Sequence, residues 1–192
     1  MIAHAEITRA AASLEKASIE QLSAFIAATR DGASAIDSVT EAALAEAGAS
    51  VEAFTYDPRG VPLVDEFAAD TMAGATSARC LIGRLAGRGE GRSILLFAHP
   101  DTEPVEMARD WSRDPFTPTI DQGCIYGWGV ADDLAGMGML VQSINVLREA
   151  GLAPRGDVFL ISAPSKSHRR RMKVNRCVGG KTAMESSGNP AS

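Results

Sequence analysis

Ser93-Ile94-Leu95-Leu96-Phe97-Ala98-His99-Pro100-Asp101 is the stretch whose reading decides the fold. An unbroken apolar run after the turn-prone Gly87-Arg88-Gly89-Glu90-Gly91 predicts a strand buried on both faces. Downstream, Leu134 to Ala150 places Met137, Leu140, Val141, Ile144 and Leu147 along one helical stripe, and Gly151 ends it. Asp157-Val158-Phe159-Leu160-Ile161-Ser162 is a second buried strand. Strand, crossover helix and strand predict a parallel βαβ unit.

Upstream of this unit the chain opens helical. Ala17 to Arg30 carries Ile19, Leu22, Ala24, Phe25 and Ile26 near one face, with Ser18 and Gln21 spaced for a capping box. Asp31-Gly32 breaks the run. A second helix is predicted over Ala35 to Ala47, stopped by Gly48. Ser50 to Tyr56 alternates as a strand does and ends at Asp57-Pro58. Residues 57 to 77 read as a loop with weak helical content around Val64 to Met72. Arg79 to Leu85 reads as a short strand, and residues 100 to 131 as one long loop, a length usually functional or disordered. The fold class that follows is α/β, a partial three-layer α/β/α sandwich around a mostly parallel central sheet.

Composition bounds the rest. The chain has 192 residues, enough for one domain with an apolar core. Its 45% hydrophobic and 22% charged content is that of a globular protein. No stretch is apolar and long enough to span a membrane. The N-terminus lacks a basic start followed by an apolar block, so no secretory leader is predicted and the expected location is cytoplasmic. Cys80, Cys124 and Cys177 are far apart and odd in number, which argues against a disulfide framework. Net charge is −5, unevenly spread. From Ser165 onward lie seven of the 19 basic residues and one of the 24 acidic ones, so the tail carries +6 and the preceding body −11. The acidic body argues against nucleic acid as a partner. The basic tail alone would suit a polyanion.

The candidate site begins where the first buried strand ends. His99 leaves the carboxyl end of that strand, where α/β proteins place their sites. Asp101, two residues on, can contact the second ring nitrogen and strengthen His99 as a metal ligand. Asp132 and Asp133 stand immediately before the helix. A carboxylate there either binds a cation or caps the helix. Asp133 is read as the cap and Asp132 as the metal ligand.

Together, the strand with His99-x-Asp101, then Trp111-x-x-Asp114-Pro115-Phe116, then Gly123-Cys124-Ile125-Tyr126-Gly127-x-Gly129-x-x-Asp132, resemble the family of aminoacylase, succinyl-diaminopimelate desuccinylase and carboxypeptidase G. These are cocatalytic zinc exopeptidases and deacylases. The likeness covers most of residues 18 to 163. It implies a hydrolase-like catalytic domain that cleaves the amide bond of an N-acyl amino acid or short peptide. It also implies two zinc ions, replaceable by cobalt. His99 would ligate one metal, Asp101 would act through His99, and Asp132 would bridge the pair. Two ions about 3.5–4 Å apart polarise the carbonyl and activate a water.

The departures from that pattern set further expectations. Trp128 stands where the family usually has arginine, and Leu134 follows Asp133 where lysine is usual. The Glu-Glu pair expected after Ser162 is replaced by Ala163-Pro164-Ser165-Lys166-Ser167-His168. One of those glutamates would be the general base. His168, beside three arginines, reads as a surface residue. The family's lid and dimerisation domain has no counterpart. Residues 1–164 are therefore expected to be the N-terminal part of a catalytic domain. Residues 165–192 are expected to be a basic tail, disordered or read out of frame. Weak metal binding and little catalysis by this chain alone would follow.

Overall fold

A computed structural model describes residues 2–57, 77–102 and 110–163. The loop expected at 57–77, the tail from Ser165 and His168 lie outside these residues, apart from the loop's two ends.

The chain begins with α1 (Ile2–Ser13), which the sequence reading did not foresee. α2 (Glu15–Ala28) starts two residues before the predicted Ala17 and runs into a 3-10 turn, Thr29–Asp31. The capping box is not formed: the Ser18 hydroxyl donates to the Leu14 carbonyl one turn back, inside a helix already under way. α3 (Ala33–Glu46) follows, then β1 (Ser50–Tyr56), β2 (Ala78–Leu85) and β3 (Ile94–Ala98). The long segment read as loop contains a hairpin, β4 (Thr119–Asp121) and β5 (Cys124–Tyr126), turned by Gln122 and Gly123, both at positive φ. α4 (Ala135–Glu149) leads to β6 (Val158–Ser162).

The main sheet has the order β1-β2-β6-β3. β3 and β6 are parallel, as the crossover through α4 requires. The β1–β2 and β2–β6 pairs are antiparallel, so the described sheet is mixed where a mostly parallel one was expected. The α/β class stands.

The strand predicted to be buried on both faces is also corrected. β6, not β3, occupies the centre, and all of its residues are buried. β3 is at the edge of the described sheet, with Ile94 51% and Phe97 64% exposed. An apolar run looks the same in sequence at the edge and at the centre, because burial depends on neighbours supplied from elsewhere in the chain.

Two apolar clusters hold helices to sheet. Leu44 and Ala47 of α3, Val141 and Ile144 of α4, and Val158 and Leu160 of β6 form the first. The second joins Phe25 and Ile26 of α2, Ile36 of α3, Ala98 at the end of β3, and Leu134 and Met137 at the start of α4. Each fully buried large aliphatic side chain contributes about 1.5–3 kcal/mol by leaving water. The second cluster matters for the site, because it clamps the last residue of β3 against the first turn of α4.

Candidate active site

The parallel β3–α4–β6 unit brings the carboxyl end of β3 and the N-terminus of α4 to the same side of the sheet. His99 follows Ala98 directly and is buried. Its Nδ1 lies 3.0 Å from Asp101 Oδ1, and its Nε2 lies 3.2 Å from Asp132 Oδ1. The ring is thus flanked by two carboxylates that are 31 residues apart in sequence.

The Asp101 contact has hydrogen-bond length. Burial pulls the His99 pKa down. The hydrogen bonding and charge of Asp101, followed by the charges of Asp133 and Asp132, outweigh it, and the pKa stands above the ordinary histidine value.

Local backbone explains how Asp132 reaches the ring. Gly129 sits at φ 68°, in the left-handed region that glycine tolerates. Its carbonyl accepts from the amides of Asp132 and Leu134, both at 3.2 Å. A side chain at Gly129 would also strike the Thr102 methyl, 2.3 Å from the position of its Cβ, so this turn is seated directly against the residue after Asp101. Within the wide turn Val130–Leu134, Asp132 has φ −150° and ψ 86°. That extended conformation turns its carboxylate off the helix axis and toward His99. The peptide joining it to Asp133 is cis.

Asp133 does not cap α4 as expected: neither this turn nor α4 has a side-chain hydrogen bond at its cap. Its carboxylate lies instead over Gly136, where a Cβ would come within 2.2 Å of Oδ1. It still places a negative charge beside the start of the helix, where the dipole favours it.

The donor set can be tested against zinc. An imidazole nitrogen and a carboxylate oxygen are both usual ligands, with bonds of about 2.0–2.2 Å. Donors at that radius in a tetrahedron stand about 3.3–3.5 Å apart, and Nε2 and Asp132 Oδ1 are 3.2 Å apart. The pair therefore fits one edge of a zinc tetrahedron. Zinc takes at least three protein ligands even at catalytic sites, and no group of three metal-ligating side chains occurs among the described residues.

The sequence reading missed the support around this centre. Trp128 is 6% exposed, and its ring stands 5.7 Å from Trp111 and 6.0 Å from Phe116. Its amide donates to the Pro115 carbonyl at 2.7 Å. Asp114 accepts from the Thr117 hydroxyl and the Phe116 amide, which hold its pKa low, and it also pairs with Arg30. The Arg30 guanidinium in turn lies over the Phe116 ring. Trp111, Asp114 and Phe116 were recognisable as one motif. That they dock on Trp128 and on the end of α2 was not.

Residues 95–165 match the profile of Peptidase family M20/M25/M40. A succinyl-diaminopimelate desuccinylase from Leptothrix cholodnii is 32% identical over 78 residues, which cover 40% of this chain and 20% of that protein. An N-formyl-4-amino-5-aminomethyl-2-methylpyrimidine deformylase from Bacillus subtilis is 30% identical over 84 residues, 43% of this chain and 20% of that protein. The matched stretch thus spans about a fifth of the length of these relatives. In structure, it resembles human carnosine dipeptidase 1 with a TM-score of 0.66, at 14% identity, over 85% of this chain and 34% of that one. A dipeptidase from Saccharomyces cerevisiae gives 0.65 at 15% identity, over 91% of this chain and 37% of that one. These likenesses show the fold.

Proposed function

We propose, starting from the membership of residues 95–165 in peptidase family M20/M25/M40, that His99, Asp101 and Asp132 form part of a metal-dependent centre that hydrolyses amide bonds. The substrate class is the N-acyl amino acid or short peptide. The observation that carries this reading is the placement of a buried imidazole between two carboxylates at 3.0 and 3.2 Å. When bound, zinc or cobalt would polarise the scissile carbonyl and lower the pKa of a water.

The chain's own residues do the following. Asp101 favours the tautomer with the proton on Nδ1, which leaves the Nε2 lone pair facing Asp132. His99 Nε2 and Asp132 Oδ1 are the metal donors. Gly129 fixes the turn that brings Asp132 to the ring. Burial of His99 keeps competing water from its edge. Where the resemblance calls for a Glu-Glu pair after Ser162 the sequence reads Ala163-Pro164-Ser165, so we expect weak zinc uptake and little turnover.

Zinc titration against a competing chromophoric chelator tests the reading. The wild-type chain is expected to take up zinc weakly, and His99→Ala to lose that uptake. Equal zinc binding by the two would remove His99 from the centre and the reading with it. Rapid zinc-dependent hydrolysis of N-acetyl or N-succinyl amino acids would instead overturn the expected weakness.

A further inference from the structure

The turn that carries Asp132 departs from helical geometry: Asp132 stands at φ −150°, ψ 86° and Asp133 at φ −135°, ψ 33°. The Asp132 side chain is 58% exposed. Neither regular helix geometry nor burial of its own side chain therefore sets where the carboxylate points. The packing around the turn has to do so.

The end of α2 and the 3-10 turn after it reach this segment. Ile26 fills the space at Gly127, where a Cβ would stand 2.4 Å from its Cγ2. One turn later, Arg30 pairs with the carboxylate of Asp114, 84 residues away in sequence, and its guanidinium carbon lies 5.4 Å from the centre of the Phe116 ring. Asp114 also accepts from the Phe116 amide and the Thr117 hydroxyl, which closes residues 114–117 into a tight turn. That turn holds Trp128. The Pro115 carbonyl accepts from the Trp128 amide at 2.7 Å, and the Phe116 ring stands 6.0 Å from the indole. Trp128 precedes Gly129, whose carbonyl accepts from the Asp132 amide. An unbroken chain of contacts thus runs from Arg30 to Asp132, and from there to His99 Nε2 at 3.2 Å.

We propose that Arg30 is a positioning residue for Asp132: by clamping the Asp114 turn against Trp128, it sets the approach of the Asp132 carboxylate to His99. This rests on the reading of Asp132 as a metal donor. One guanidinium makes a carboxylate pair and a ring contact at once, which its planar fork allows and a compact ammonium does not. The two side chains of the pair are 57% and 46% exposed, and exposed pairs add little to global stability. Loss of the clamp therefore disturbs the turn more than the fold.

The ring signals of His99 report the geometry directly. In the proton–carbon correlation spectrum of the metal-free chain, His99→Ala distinguishes them from those of His4 and His168. At one fixed pH, Arg30→Ala is expected to shift or broaden them. It should also weaken zinc binding about three- to tenfold, at or below the lower end of what loss of a group bonded directly to a metal ligand causes. Asp114→Asn, which opens the clamp from its other side, should reproduce the shift. Arg30→Lys, which keeps the charge but not the planar fork, should recover part of it. In an Asp132→Ala background, Arg30→Ala should move the ring signals no further. Arg84→Ala is the control for a merely structural loss: it removes the ion pair with Asp157 at the sheet end opposite His99 and should leave the His99 signals in place. Far-UV circular dichroism checks the fold of each variant. Unchanged His99 signals in Arg30→Ala and Asp114→Asn, an equal change in Arg84→Ala, or an undiminished change in the Asp132→Ala background overturns the proposal. The ring signals are read without metal. A wild-type chain that takes up no zinc therefore sinks the metal reading, while the ring signals still decide the role of Arg30.

Discussion

Gly127→Ala is the substitution by which the support of the site can be judged most sharply. A Cβ on Gly127 would stand 2.4 Å from Ile26 Cγ2, 2.9 Å from Cδ1 and 3.1 Å from Cγ1. Carbon atoms in good contact are about 3.5–4.0 Å apart, so the new methyl arrives about 1 Å too close. Ile26 is fully buried in the cluster of Phe25, Ile36, Leu134 and Met137, so moving it displaces packed neighbours. Overpacking of this kind costs about 1–3 kcal/mol. Ile26→Ala alone should cost about 2–5 kcal/mol through lost burial and a cavity. In the double variant the methyl introduced at position 127 enters the space that Ile26 vacates, so the two losses should not add. A coupling of about 1–3 kcal/mol is expected, with the double variant no less stable than Ile26→Ala. Urea unfolding followed by circular dichroism and tryptophan emission measures each corner of the cycle, provided the slope with denaturant stays constant. Additivity to within about 0.5 kcal/mol, or a neutral Gly127→Ala, would show that α2 does not press on this turn.

Three further outcomes follow from the same structure. Among the described residues the buried Ser162 hydroxyl has no hydrogen-bond partner, and an unsatisfied buried hydroxyl costs about 1–3 kcal/mol. Ser162→Ala should therefore leave stability unchanged or raise it by about 1 kcal/mol, and a clear loss in urea unfolding would mean that the hydroxyl is bonded. His99 has a raised pKa, so in the metal-free chain its contribution is present below the unfolded histidine value and lost as pH rises through the folded one. Zinc, which needs the neutral ring, should bind more weakly as pH falls through that same value; a zinc affinity flat across this range would count against His99 as a ligand. Asp157 is held low by the Gly87 amide first and by Arg84 second. Its contribution is present above the unfolded aspartate pKa and lost as pH falls through the folded one. Asp157→Asn should lower the melting temperature at neutral pH and flatten its acid dependence; an acid limb as steep as in the wild type would refute that role.

What could be read in the sequence, and what could not, follows from the range over which each feature is determined. The α4 stripe and the apolar run of β6 are local patterns, and both elements appear within a residue or two of their expected limits. β1 was legible for the same reason and has the expected bounds. α1 was missed because an alanine-rich helix needs little apolar patterning: Ala10 is buried, while Ile7 remains partly in solvent. The β4–β5 hairpin was missed because strands of three residues are too short to display alternation, although Gln122-Gly123 was a turn signal. The site divides along the same line. His99 and Asp101 could be placed at a strand end from their own neighbourhood, and their proximity follows from being two residues apart. The approach of Asp132 to the other side of the ring depends on the crossover, on Ile26 filling the notch at Gly127, and on Gly129 turning left-handed against Thr102. Trp128 makes the point most clearly. In sequence it is a departure from a glycine-arginine-glycine pattern. In the fold it is a buried ring beside Trp111 and Phe116, a place where a long cation would have to find a counter-ion other than Asp114, which already answers to Arg30. The same substitution that weakens the resemblance in sequence thus adds a buried ring to an aromatic cluster, one residue before the turn that carries Asp132.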